Sequence, residues 1–172
     1  MRVAGGKLVT SADTKSLLPF FEWCESSALG GAIRNSQWLF PVIEAVHLLG
    51  LALIGGIVLL VDLRLFGFSV TAKPLPDLSR AVEPWLIASL GVMIVTGLLL
   101  YTSEPIKLYY NAAFWMKMAF LGPAITYTFT IRRRVLAAGE ARIGPAWRKL
   151  VAIISVSLWT GVGIGGRGIG FY

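Results

Sequence analysis

The sequence predicts an all-α membrane protein: a bundle of four transmembrane helices preceded by an amphipathic helix in the membrane interface. Two observations support this fold class. The 172 residues are 56% hydrophobic and only 15% charged, whereas about a quarter of the residues in a soluble domain are charged. The apolar residues also come in long blocks, and about 20 of them suffice to cross a hydrocarbon core of roughly 30 Å.

Four blocks reach the length that a membrane span requires. Buried helices of soluble proteins are typically shorter, at about 11–12 residues on average, so four blocks of this length favour a membrane bundle. Residues 38–172 are therefore predicted to form the bundle, after an N-terminal tail over residues 1–37. The predicted spans cover about residues 38–61, 84–101, 114–131 and 150–171.

Before the first span, the tail contains one helical pattern. Residues 1–14 are predicted to be disordered. From Ser16, a candidate N-cap, apolar residues recur at helical spacing with acidic residues between them. The Gly30-Gly31 pair is expected to end this helix, which would lie in the interface or across one end of the bundle as a lid.

Basic residues predict the orientation of the chain. The formal charge is +7, and the clearest cluster, Arg132-Arg133-Arg134, follows the third predicted span. Basic residues near span ends favour the cytoplasmic side, so both termini are predicted to lie in the periplasm, with the protein in a bacterial inner membrane. No dense basic stripe with interleaved aromatic residues is present, so we expect no binding of nucleic acid. The single cysteine, Cys24, excludes an internal disulfide bond.

Four polar residues are predicted to lie at a similar depth on three spans. Glu44 and His47 share one face of the first span, Lys117 lies in the outer half of the third, and Arg167 lies in the outer half of the fourth. Ionisable residues inside a membrane are costly and often functional. The favoured interpretation is a structural ion-pair network in which Glu44 pairs with Lys117 or Arg167. A ligand or anion pocket, a haem site and proton or ion conduction are the alternatives.

A haem site would depend on His47, since the chain has one histidine and bis-histidine ligation needs two. His47 could serve as one axial ligand, opposite an exogenous ligand or one of Met93, Met116 and Met118. Methionine in an apolar span is usually a packing residue. The Glu44–His47 spacing matches half of a di-iron motif, but the other carboxylates that such a site needs are not found on the other spans. No metal site and no catalytic residue is predicted.

The last predicted span is rich in glycine. Gly161 with Gly165, and Gly166 with Gly170, form two small-x-x-x-small pairs that allow close approach of helix backbones. The partner helix could belong to the same chain or to another protomer. Pro123 is expected to kink the third span, with Thr126 or Tyr127 compensating the freed carbonyl groups.

From about Leu17 onward, the chain resembles a bacterial family of small uncharacterised membrane proteins with four helices. The matching segments are Phe20-Phe21-Glu22-Trp23, Trp38-Leu39-Phe40-Pro41, Glu44-Ala45-Val46-His47, Asp62-Leu63-Arg64-Leu65, Pro84-Trp85, Asn111-Ala112-Ala113-Phe114, Met116-Lys117 and Gly166-Arg167. That group distantly resembles copper-resistance-D and cytochrome-b-type membrane modules, some of which carry haem. In many relatives a second histidine lies near the position of Thr128, which implies that a bis-histidine haem is not expected here.

These features predict a non-catalytic integral membrane protein. The expected role is that of an accessory or structural subunit, with the lipid bilayer and either further copies or other membrane subunits as partners. One alternative is a redox module with haem b bound through His47. The other is a transporter of a small ligand or anion with a polar site at Glu44, His47, Lys117 and Arg167.

Overall fold

The computed structural model describes residues 13–68, 72–139 and 142–171, and the regular elements found there are all helices. They are α1 (Asp13–Glu25), α2 (Ala28–Asn35), α3 (Leu39–Phe66), α4 (Leu75–Ser103), α5 (Pro105–Tyr109), α6 (Ala112–Tyr127), a π-helical segment (Thr128–Arg132), α7 (Arg133–Ala138) and α8 (Pro145–Ile169). The all-α class is therefore confirmed.

Three helices are long and apolar enough to cross a membrane: α3 with 28 residues, α4 with 29 and α8 with 25. Each exceeds its predicted span at one end or both. α3 continues to Phe66 and ends at Gly67, whose φ of +104° is a left-handed conformation that favours glycine. α4 begins at Leu75, well before the predicted residue 84, and continues through Pro84.

The third predicted span, residues 114–131, lies in a composite helix. α6 has 16 residues, the π segment five and α7 six, and they follow one another without a break. The N-terminus of α6 is capped by Asn111, whose Oδ1 accepts hydrogen bonds from the N–H groups of Ala113 and Phe114. The hydroxyl of Thr126 donates to the carbonyl of Gly122, so it does not compensate the Ala119 carbonyl that Pro123 leaves without a helical donor.

The N-terminal tail forms two helices where one was predicted. α1 starts at Asp13, so Ser16 lies inside it and the predicted cap is wrong; the remainder of the predicted disordered tail lies outside the described residues. The Gly30-Gly31 pair does not end a helix but lies within α2, whose N-cap is Ser27. A Cβ at Gly30 would overlap the carbonyl oxygen of Thr102, so a larger residue there would prevent α2 from packing on α4.

The long helices pack side by side. α3 lies against α4 and α8, and α6 lies against α8. We call the end that carries α5 the α5 end, and the opposite end, with α7, the α7 end. At the α5 end Phe21 of α1 packs edge-on against Tyr101 and Tyr109 at ring distances of 5.4 and 5.0 Å, so α1 covers this end. At the α7 end a buried core joins Val61, Leu75, Val135 and Val151 from four helices.

Candidate functional site

A cavity of about 370 Å³ lies toward the α5 end between α3, α4, α6 and α8. Apolar side chains such as Phe40, Leu51 and Phe114 form much of its wall. Its ionisable lining residues are Glu44, His47, Tyr101, Glu104, Lys107, Lys117 and Arg167. The four polar residues that the sequence places at one depth thus line a single cavity.

The predicted ion pair within this group is not formed. Among the described residues, no carboxylate oxygen lies within 4.0 Å of the Lys117 ammonium or of the Arg167 guanidinium, and Glu44 has no ion-pair partner. Glu44 is instead exposed at the surface of α3. A common depth on different helices does not bring side chains together, because each helix also has to turn the right face toward the others.

The protonation of His47 follows from its hydrogen bonds. Its Nδ1 lies 2.8 Å from Thr96 Oγ1, and the Thr96 hydroxyl donates to the carbonyl of Val92 at 2.6 Å. Because the hydroxyl has one proton, Thr96 accepts from His47, which assigns the proton to Nδ1 and leaves the lone pair on Nε2. Gly97 makes room for this ring, since a Cβ there would lie 3.1 Å from Cε1 of His47.

The two cations are held in different surroundings. Lys117 is partly buried, and its backbone packs against Gly165. The guanidinium of Arg167 lies over the ring of Phe171, 5.2 Å from the ring centroid. The third basic residue of the lining, Lys107, is neutralised by Glu104 at 3.3 Å.

The glycines of α8 divide between two faces. A Cβ at Gly161 or Gly165 would overlap the Phe120 ring or the Lys117 backbone, so this predicted pair brings α8 close to α6 within the same chain. The other predicted pair, Gly166 and Gly170, does not allow such an approach. Together with Gly163 these two line the cavity, where their missing side chains leave space.

A buried ion pair near the α7 end was not predicted from the sequence. Arg132 Nε donates to Asp62 Oδ1 at 3.0 Å, and Nη2 donates to the carbonyl of Val58 at 3.4 Å; both side chains are at most 3% exposed. Asp62 Oδ2 and the hydroxyl of Ser155 on α8 are also buried, and Ser155 lies beside the Asp62 carboxylate. Two signals were available in the sequence: Asp62 lies five helical turns after Glu44 on the same face of the helix, and Arg132 is the first residue of a basic run. We interpreted that run only as a topology signal.

The position that the family resemblance associates with a second histidine does not lie in the cavity. Thr128 begins the π segment and accepts a hydrogen bond from Trp159 Nε1 at 3.1 Å. Thr128 lines a much smaller pocket, together with Arg132. The buried residues Ile54, Ile57 and Val58 of α3 lie between His47 and Asp62, the partner of Arg132, and so separate the cavity from this pocket. Among the described residues, no group of three or more His, Cys, Asp or Glu side chains is placed to hold a metal ion.

Three helices that are long and apolar enough to cross a membrane, together with a cavity lined by ionisable residues, indicate a membrane protein. The chain belongs to the family of unknown function DUF6644, which matches residues 20–172. This confirms the predicted membership of an uncharacterised family. No curated protein and no solved structure matches the chain significantly.

Proposed function

We propose that this protein is a non-catalytic integral membrane protein of four spans that binds a small ligand in the cavity at its α5 end. The observation that supports this function is the convergence of His47, Lys117 and Arg167 from three helices on one cavity of about 370 Å³. That volume lies within the roughly 300–1,000 Å³ of ligand pockets. Charged groups inside a membrane are retained where they serve a purpose.

The fourth span in this proposal is the composite helix from α6 through α7. Its beginning is tied to the end of α8, where Asn111 Nδ2 donates to the carbonyl of Ile169 at 3.3 Å. Further along, the Tyr127 hydroxyl donates to the carbonyl of Val151 at 3.1 Å. The composite helix therefore follows α8, itself a candidate span, over most of its length. Four spans return both termini to one side, which the basic residues assign to the periplasm of an inner membrane.

A non-catalytic role is supported by the contact between the imidazole of His47, which lines the cavity, and the hydroxyl of Thr96. A nucleophilic hydroxyl has to direct its proton to the base, whereas the proton of Thr96 is donated to the carbonyl of Val92 in its own helix. Thr96 thus orients His47. In this proposal the protein acts as an accessory subunit, in contact with further copies or with other membrane subunits, and the ligand bound in the cavity is part of that role.

Haem b is a second candidate ligand, favoured by one observation. A histidine that ligates a metal usually has its other ring nitrogen fixed by a hydrogen bond, as Thr96 fixes Nδ1 of His47. His47 Nε2 would hold the iron, and haem would supply electron-transfer chemistry. Met93 lines the same cavity, while Met116 and Met118 do not. An optical spectrum of the purified protein decides this candidate, since a Soret band of near-stoichiometric intensity would support haem over the small ligand.

The test of ligand binding uses two equivalent glycine substitutions. A Cβ has open space at both Gly163, which lines the cavity, and Gly56, which does not. We expect Gly163→Leu to fill the cavity and to remove the small molecules that native mass spectrometry finds bound to the wild-type protein in a neutral detergent. Gly56→Leu should retain them. Equal retention by both variants, or no bound molecule on the wild-type protein, would reject the proposed function.

A further inference from the structure

We propose that the ligand is an amphipathic anion of the bilayer: its acidic head lies between Lys117 and Arg167, and its hydrocarbon lies along the apolar wall of α3 and α4. This inference rests on the proposed function, because it names the chemical class that the same cavity takes.

The net positive charge of the cavity lining favours an anionic ligand. Lys117 and Arg167 have no carboxylate within 4.0 Å among the described residues, and Glu104 already neutralises Lys107. Together with Glu44 and a neutral imidazole, the lining residues have two uncompensated cations against one carboxylate. Lys117 is partly buried, and a charge in such surroundings is costly without a counter-charge. Arg167 is exposed on α8 but lines the same cavity, so a head with a single negative charge would balance the site. The fork of an arginine beside the point charge of a lysine suits a phosphate or carboxylate group.

The apolar part of the cavity wall favours a ligand that also carries a hydrocarbon chain. Phe40, Leu48 and Leu51 line the cavity from α3, and Met93 and Leu100 line it from α4. Leu48 is 55% exposed although it belongs to the lining, so the cavity reaches the outer surface of the helices, which faces lipid in the proposed membrane bundle. A ligand could therefore enter sideways from the bilayer. Inorganic phosphate would satisfy the two cations and leave this apolar wall uncovered.

Two hydrogen-bond acceptors in the same cavity lining restrict the chemistry of the head group. The carboxylate of Glu44 and the free Nε2 of His47 both need hydrogen-bond donors. A phosphodiester with hydroxyl groups offers one negative charge and such donors in the same head. Phosphatidylglycerol has this chemistry and serves as the probe.

The experiment measures lipid binding to the full chain purified in a neutral detergent, by the rise in melting temperature as lipid is added. Phosphatidylglycerol should raise it at lower concentration than phosphatidylcholine with the same acyl chains. Inorganic phosphate should have no effect. Oleate is the fourth probe, and a rise equal to that with phosphatidylglycerol would identify a free fatty acid as an equivalent source of the anion. An equal rise with phosphatidylglycerol and phosphatidylcholine would overturn the preference for an anion.

Variants assign the effect to the cavity. Arg167→Gln and Lys117→Met should each weaken the binding of phosphatidylglycerol by about tenfold or more, since a hydrogen bond to a charged group is lost. The control Arg134→Gln removes an exposed arginine outside the cavity and should change nothing. Lys117→Arg keeps the charge and should retain most of the affinity, which separates loss of recognition from misfolding. An equal loss in the Arg134 control would overturn the site.

Gly163→Leu distinguishes the failure of this inference from the failure of the proposed function. Suppose that Gly163→Leu removes the bound molecules and that the wild-type protein binds phosphatidylglycerol and phosphatidylcholine equally. The cavity then binds a ligand, and only the proposed preference for an anion is wrong. If Gly163→Leu changes no binding at all, both proposals are wrong.

Discussion

Glu44 and Asp62 are carboxylates on the same helix, and their surroundings give them different roles. Asp62 is fully buried and is held by Arg132 from the π segment. Glu44 is exposed beside the cavity and has no ion-pair partner among the described residues. Asp62 therefore fixes the packing of helices, whereas Glu44 is available to a ligand.

This difference predicts two unequal effects on stability. Asp62→Asn leaves the Arg132 guanidinium buried without its counter-charge, and breaking one side of a buried pair costs roughly 3–5 kcal/mol. Glu44→Gln, its control on the same helix, should stay within about 0.5 kcal/mol, as is usual for exposed positions. Reversible unfolding in mixed detergent measures both. Similar losses in the two variants would contradict the separation of structural and ligand-facing carboxylates.

The residues of the cavity could be predicted from the sequence better than their contacts. Ionisable residues inside apolar blocks are conspicuous, and depth can be counted along a helix, so Glu44, His47, Lys117 and Arg167 were singled out together. The rotation of each helix about its axis is set by packing. For that reason the pairing of Glu44 was wrong. The burial of Arg132 was missed because a basic residue at a span end is ordinarily a topology signal.

Among the elements, α8 shows how one glycine-rich helix serves two purposes. Gly161, Gly165 and Gly168 face α6, where added Cβ atoms would meet Phe120, Lys117 and Ala113 within 3 Å. Gly163 and Gly166 face the cavity, with open space or ordinary contact distances around them. The spacing of the glycines was visible in the sequence. Glycine occurs on both faces of α8, however, so the sequence could not show which face packs against α6 and which lines the cavity.

The two faces predict opposite outcomes for the same substitution. Gly161→Leu and Gly165→Leu force a side chain into the contact between α8 and α6, and overpacking of this kind typically costs about 1–3 kcal/mol. Gly163→Leu projects into the cavity and should leave the melting temperature nearly unchanged when variant and wild-type protein are compared after removal of bound lipid. Thermal unfolding followed by circular dichroism in one detergent compares them. A stable Gly161→Leu protein would show that α8 does not approach α6 as described.

The π segment is an element that the apolar pattern could not reveal. A π-helical segment places one extra residue in a turn, which shifts the faces of the following residues. Here it contains both Thr128, bonded to Trp159, and Arg132, bonded to Asp62. Its presence divides the composite helix into α6 and α7, whereas the sequence predicted one continuous span from 114 to 131.

At the scale of the whole molecule, the ionisable residues of the cavity and the Asp62–Arg132 pair lie toward opposite ends, and apolar residues of α3 lie between them. The cavity lies toward the α5 end and the Asp62–Arg132 pair near the α7 end. Between them on α3 are Ile54, Ile57 and Val58, which pack with Leu86 in a buried cluster. This apolar layer argues against conduction through the molecule and agrees better with a site open to one side.

The last prediction concerns topology and tests the fourth span directly. In a Cys24→Ser background, single cysteines are placed at Tyr110, between α5 and α6, and at Gly144, between α7 and α8. Both positions are exposed. If α6 through α7 crosses the membrane, the two positions lie on opposite sides, and the basic residues place Gly144 in the cytoplasm.

We therefore expect an impermeant maleimide to label Tyr110→Cys in cells with a permeabilised outer membrane, and to label Gly144→Cys only after lysis. If Gly144→Cys were labelled before lysis and Tyr110→Cys only after it, the four spans would stand but their orientation would be inverted. The orientation predicted from the basic residues would then be wrong. Labelling of both positions from the same side would mean that the composite helix does not cross. The cavity would then lie between three spans and a helix packed on their surface, and its proposed access from the bilayer would have to be abandoned.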